Sequence, residues 1–121
     1  MPTNYTEQQR QALLETLGHG RTSAIRAEDL ARMLGYPTTG NQVQLRGLIK
    51  ECIEVDNDLI GSSTINPPGF FIISEKEELE DYANSLESRA RSDNQRRTAL
   101  IETWNSTYPE NQTDLTELRL Q

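Results

Sequence analysis

An α+β fold, mainly α, with a long C-terminal helix is what this sequence predicts, and three observations predict it. Apolar residues recur at helical spacing in three separate stretches before residue 55. Two short apolar-ended stretches then flank a turn-rich link over 64–69. Beyond them, a long polar segment keeps one apolar stripe. With 121 residues, 34% of them apolar, the chain holds a single modest core, and exposed helical arms or tails are expected beside it.

The first helix spans about residues 6 to 17. Thr6-x-x-Gln9 is a capping box, Ala12, Leu13, Leu14 and Leu17 share one side, and Gly18-His19-Gly20 stops it. Residues 22–26 are too few for a helix and suit one brief strand. Ala27, Leu30, Ala31 and Leu34 then mark a second helix, which Gly35 ends as a left-handed cap. Tyr36 to Gly40 form a turn, and Thr39-x-x-Gln42 reads as a capping box opening the third helix. There Leu45, Leu48, Ile49, Cys52 and Ile53 match the i, i+3, i+4, i+7, i+8 template completely. Leu59 to Ser63 and Phe70 to Ile73 form a β-hairpin with a loop longer than two residues. A further capping box, Ser74-x-x-Glu77, opens a helix over 75–104 with Leu79, Tyr82, Ala83, Leu86, Ala90, Leu100, Ile101 and Trp104 on one stripe, interrupted at Asp93 and Arg97. A polar tail, 105–121, has room for a short helix from Asp114 to Leu120. The domain organisation expected is therefore 1–74, the long helix, and the tail.

Several function classes are set aside by composition. One Cys and one His supply neither an internal disulfide nor the ligands of a structural zinc site. Cys52 lies on the buried stripe, where it serves as a small core residue, and His19 has no partner nearby in sequence. No Gly-rich phosphate loop occurs, and acidic residues from Glu75 to Asp81 are what a helix dipole favours at its N-terminus. Neither enzyme activity, a metal nor any cofactor is expected. No apolar run is long enough to span a bilayer, and Met1 to Tyr5 lacks the features of an export signal, so a cytoplasmic protein without a membrane partner is expected. The sequons at Asn4, Asn105 and Asn111 are then chance matches.

Charge is unevenly placed. Residues 1–50 carry six basic and four acidic groups, whereas 51–121 carry six basic and fifteen acidic, within a net charge of −7. Any nucleic-acid surface belongs to the first half.

Ala24-Ile-Arg-Ala-Glu-Asp-Leu-Ala-Arg-Met-Leu-Gly35, Leu45-Arg46-x-x-Ile49, Leu59-Ile-Gly-Ser-Ser63 and Pro68-Gly-Phe-Phe-Ile-Ile73 follow one another in the element order of a winged helix-turn-helix. Leu86-Glu-Ser-Arg89 and Arg96-Arg97-x-x-Leu100 continue the pattern. Over roughly residues 10 to 104 the chain resembles the small winged-helix proteins common in phages and in bacterial genomes carrying prophage-like genes. That resemblance implies a winged-helix fold and a small DNA-binding regulator; winged helices also serve as protein-interaction modules, so the fold alone does not decide the function.

With the third helix as the recognition helix, the face opposite Ile49 carries Val43, Gly47, Lys50 and Glu54, flanked by Arg46 and Glu51. Gln42, Gln44, Arg46 and Lys50 are the side chains expected to reach double-stranded DNA, because amides pair with adenine, arginine with guanine and lysine with phosphate. Thr38, Thr39 and Asn41, where the helix begins, are suited to phosphate. Two features oppose this: the loop from Thr64 to Gly69 holds no Arg or Lys, and Glu51 and Glu54 approach the same face. Two copies acting together would offset a weak single contact. Leu86, Ala90, Arg97, Leu100, Ile101 and Trp104 are the residues expected to form that homodimer, with Asp93 and Arg97 pairing locally or across the two-fold. The alternative is a helix that breaks near Ser92-Asp-Asn94 and folds back. A second functional reading is an interaction module whose acidic C-terminal half binds a replication, recombination or defence protein.

Overall fold

The computed structural model describes residues 3–115 and is α+β and mainly helical. The chain divides into two compact units, Met1–Tyr82 and Ala83–Gln121. No helix among the described residues is long and apolar enough to cross a membrane.

In the first unit α1 spans Glu7–Thr16, α2 Ala27–Leu34 and α3 Val43–Glu54. Strands β1, Ile60–Ser63, and β2, Gly69–Ile72, pair antiparallel with Ile60 opposite Ile72 and Ser63 opposite Gly69, leaving a five-residue loop. The capping box of α1 is present in full: Gln9 N donates to Thr6 Oγ1 at 3.1 Å and Thr6 N to Gln9 Oε1 at 2.8 Å. Gly35 ends α2 in the left-handed region, at φ 80° and ψ 22°, a conformation in which a Cβ is strained.

These elements meet around one core, in which Leu13 of α1, Leu30 and Ala31 of α2, and Leu45, Leu48 and Cys52 of α3 are fully buried. Ile60 and Phe70 close it from the hairpin. Each fully buried leucine stabilises the unit by about 1.5–3 kcal/mol, so α3, contributing two of them with Ile49 and Cys52, is fixed in rotation about its axis. That fixes which side chains face outward.

Three local expectations are corrected. The brief strand over 22–26 is instead a 3₁₀ turn, Arg21–Ser23, followed by one bridging residue. Of residues 22–26 Ile25 alone reaches β2, exchanging two bonds with Phe70 at 2.8 and 2.9 Å before α2 begins. The capping box at Thr39 does not form, because Gly40 and Gln42 both take positive φ and delay the helix to Val43. At the start of the last helix, α4, Lys76–Thr107, the caps come from Glu78 and not Glu77. Its carboxylate accepts from Ser74 N, Glu75 N and Arg21 N at 3.0, 3.2 and 2.8 Å. These bonds hold its pKa below the ordinary carboxylate value.

The second unit contains the C-terminal part of α4, which runs without a break through Ser92-Asp-Asn94. The segment after it is tied to its last turns. Trp104 Nε1 donates to Asn111 O at 2.8 Å, Thr113 N donates to Asn105 Oδ1 at 2.9 Å, and the Trp104 and Tyr108 rings lie 4.3 Å apart. The helix expected from Asp114 to Leu120 lies mostly outside the described residues.

Candidate nucleic-acid interface

Because Leu45, Leu48, Ile49 and Cys52 turn inward, α3 presents Val43, Gln44, Arg46, Lys50 and Glu54 as exposed residues. Val43, at 76% exposure, is the most exposed of the large apolar side chains among the described residues. At 100° per residue Val43, Arg46, Lys50 and Glu54 share one face, while Gln44 lies about 160° around the axis from Arg46. Gln44 thus belongs to a different edge of the helix from the two cations.

The loop before α3 is held by the side chain of Gln42. Its amide nitrogen donates to Thr38 O at 2.7 Å and to Gly40 O at 3.0 Å, so both amide hydrogens are engaged within the loop and its oxygen, an acceptor, is the group left for a base N–H. Thr39 and Asn41 are exposed beside it and Thr38 is half-buried.

Arg46 is oriented by two contacts. Its Nε donates to Asn41 O at 2.6 Å, and its guanidinium lies 5.7 Å from the centroid of the Phe70 ring. With Nε occupied, the two terminal nitrogens remain, and a pair of parallel N–H donors is what a guanine edge or a phosphate takes bidentately. Lys50, one turn further on, is exposed and makes no ion pair among the described residues.

Two other basic groups of the first half are neutralised. Arg10 Nε donates to Asp56 at 2.7 Å, and Arg32 pairs with Glu28 and Asp29, both at 3.0 Å. Of the six basic residues before 51, Arg46 and Lys50 are therefore the two that stand on one exposed helix face without a carboxylate partner among the described residues.

One edge of this outward face, toward Gly47 and Glu51, carries contacts that the sequence does not reveal. Tyr5 O–H donates to Gln44 O at 2.6 Å, and its ring lies over Gly47, where a Cβ would come 2.8 Å from the hydroxyl oxygen. Glu51 accepts from the backbone N–H groups of Asn4 and Tyr5. Gly47 and Glu51 are accordingly covered by the N-terminal segment, and of the two acids expected near the interface only Glu54 remains exposed. A glycine inside a good helix was the available signal, since it costs about 1 kcal/mol against alanine unless something approaches closely.

The hairpin loop adds no cation. Ile65 stands exposed at its tip, with its N–H bonded to Ser63 Oγ at 3.0 Å.

Cys52, Asp56 and Asp58 place potential metal-ligand atoms within 4.8 Å of one another. Arg10 already supplies positive charge there through Asp56, and burial, reinforced by Asp58 and Asp56, pushes the Cys52 thiol up to about 12. A metal would have to displace that proton, and a thiol so held is a poor nucleophile.

Among the residues expected to pair two copies, Leu86, Ala90, Leu100 and Trp104 are exposed, and Arg97 and Ile101 half-buried. Ile101 shares a second face with Asn94, Thr98 and Asn105, all half-buried.

Set against known proteins, the chain matches no protein-family model, no curated protein and no solved structure at a significant level.

Proposed function

We propose that this chain binds double-stranded DNA through α3 and the loop preceding it, as a small cytoplasmic regulator acting in two copies. On this reading the N-terminal unit is a winged helix-turn-helix, with α2 and α3 as the helix pair and the β1–β2 hairpin as the wing. The observation that carries it is the outward face of α3, where Arg46 and Lys50 stand one turn apart, without carboxylate partners among the described residues, on a helix locked by its buried side. Arg46 is the base-reading group, Lys50 a phosphate contact, and Thr39 and Asn41 position the backbone. The net charge of −7 opposes long-range attraction, so binding depends on this local pair and weakens with salt in proportion to the few phosphates it contacts. Labelled duplex from the region upstream of the coding sequence, compared with scrambled duplex, tests the proposal. Preference for the native duplex is expected, and equal or absent binding of both at low salt refutes it.

A second reading is favoured by the hairpin loop, which carries an exposed Ile65 and no cation. There the unit is an interaction module for another protein. Alanine at Arg46 and Lys50 then leaves activity intact, whereas changes over Leu100 to Trp104 abolish it.

A further inference from the structure

On α4 the residues Ala83, Leu86, Ala90, Asp93, Arg97, Leu100 and Trp104 are spaced alternately three and four apart, the heptad spacing of a coiled-coil seam. The helix is continuous over all of them. Leu86, Leu100 and Trp104 are 45%, 66% and 42% exposed, and Ala90 and Asp93 are exposed as well. The half-buried face of Asn94, Thr98, Ile101 and Asn105, to which Thr113 is bonded, lies around the helix from this seam.

The order of residues along the seam selects its partner. We infer that two copies pair antiparallel through this seam, about a two-fold axis at Gln95, with Asp93 of each facing Arg97 of the other. Antiparallel pairing centred there places Leu86 opposite Trp104 and Ala90 opposite Leu100, so a small side chain meets a large one in one layer and a leucine covers the indole in the next. In an isologous interface each such pair occurs twice, and the two Asp93–Arg97 layers sit side by side at the axis. Parallel pairing in register would instead set Asp93 against Asp93, Arg97 against Arg97, and Ala90 against Ala90. Charge complementarity and size thus choose the same orientation. Charged layers at the centre of a short apolar seam fix register at the expense of affinity. Arg97 also interacts within its own chain, and a guanidinium has five donors to share.

This deepens the two-copy part of the proposed function, rests on it, and is independent of DNA contact. The test uses the full chain and two charge reversals, Asp93→Arg and Arg97→Asp, followed by sedimentation over roughly 1 μM to 1 mM, the range of weak association. Wild type is expected to reach twice the chain mass. Each variant alone places like charges in both central layers and should associate roughly 100-fold more weakly. An equimolar mixture should recover a heterodimer, because both central layers then set an arginine of the first variant against an aspartate of the second. Mixing leaves the like-charge i,i+4 pair within each helix unchanged, so recovery reports contact between chains and not helix repair. Oxidation gives the orientation. Ala90→Cys alone should not cross-link, since its copies lie about 15 Å apart along the axis, whereas a mixture with Leu100→Cys should. Wild type that stays monomeric throughout overturns both dimer and register. Wild type that dimerises, while mixed charge variants stay apart or Ala90→Cys cross-links to itself, overturns the register alone.

Discussion

Replacing Gly69 with alanine should open the bridge that ties β2 to the segment before α2, and the size of the effect follows from two backbones in close approach. Gly69 has φ of +130°, and a Cβ there would lie 2.1 Å from Ile25 O and 2.6 Å from Arg26 N, both backbone atoms that cannot swing aside. Relief requires opening the bridge between Ile25 and Phe70, whose two hydrogen bonds contribute about 1 kcal/mol each. Strained backbone adds about 1–3 kcal/mol, so a loss of about 3–5 kcal/mol is expected for Gly69→Ala. Gly35→Ala is the control. Gly35 also has positive φ, but nothing lies within 4 Å of its added Cβ, so only the left-handed strain of about 1–2 kcal/mol applies. Urea unfolding followed through amide resonances of the first unit compares the two, because α4 dominates the helical signal and a single transition cannot be assumed for two units. Hydrogen exchange at the Ile25 and Phe70 amides should accelerate in Gly69→Ala and not in Gly35→Ala. A Gly69→Ala cost no greater than that of Gly35→Ala would refute the close-approach argument.

Three further outcomes are expected. Lys50→Ala should weaken duplex binding almost equally for all sequences and lower the slope of log affinity against log salt by about one, while Arg46→Ala should also relax sequence preference; fluorescence anisotropy across a salt series checks both. Cys52, fully buried with a thiol held near 12, should resist thiol reagents in the native protein at neutral pH and react at once in urea, and rapid native labelling monitored by mass would contradict its burial. Glu78 has its pKa lowered from 4.5 by its bonds to Ser74 and Arg21, so its contribution to stability is present above that value and disappears as pH falls through the folded one. Glu78→Gln should therefore lower Tm at neutral pH and converge with wild type in acid, and an equal deficit at every pH would show that charge plays no part.

Local chemistry was legible in the sequence wherever neighbours in the chain are neighbours in space. Thr6 with Gln9, the span of α2 with Gly35 behind it, and the buried stripe of α3 follow from spacing alone, since helix periodicity decides them. Failures came from residues that choose among equivalent local options. Thr39-x-x-Gln42 satisfies the capping pattern, yet Gly40 between them takes positive φ and Gln42 turns its amide back onto Thr38 and Gly40. Glu77 and Glu78 are both plausible caps, and the one chosen also reaches Arg21, far away in sequence. Within the candidate interface the cations Arg46 and Lys50 fall on the expected face. The sequence could not place Tyr5 over Gly47 or Glu51 against Asn4 and Tyr5, because these contacts join chain positions more than forty residues apart.

The proposal that α3 meets DNA is tested most directly by amide shift mapping of labelled protein titrated with duplex at low salt. The largest changes are expected over 38–50, with the Arg46 side chain and the Phe70 amide beside it moving together, and all of them should shrink as salt is raised. Changes confined to α4 beyond Ala83, or none over 38–50 at saturating duplex, would contradict the account.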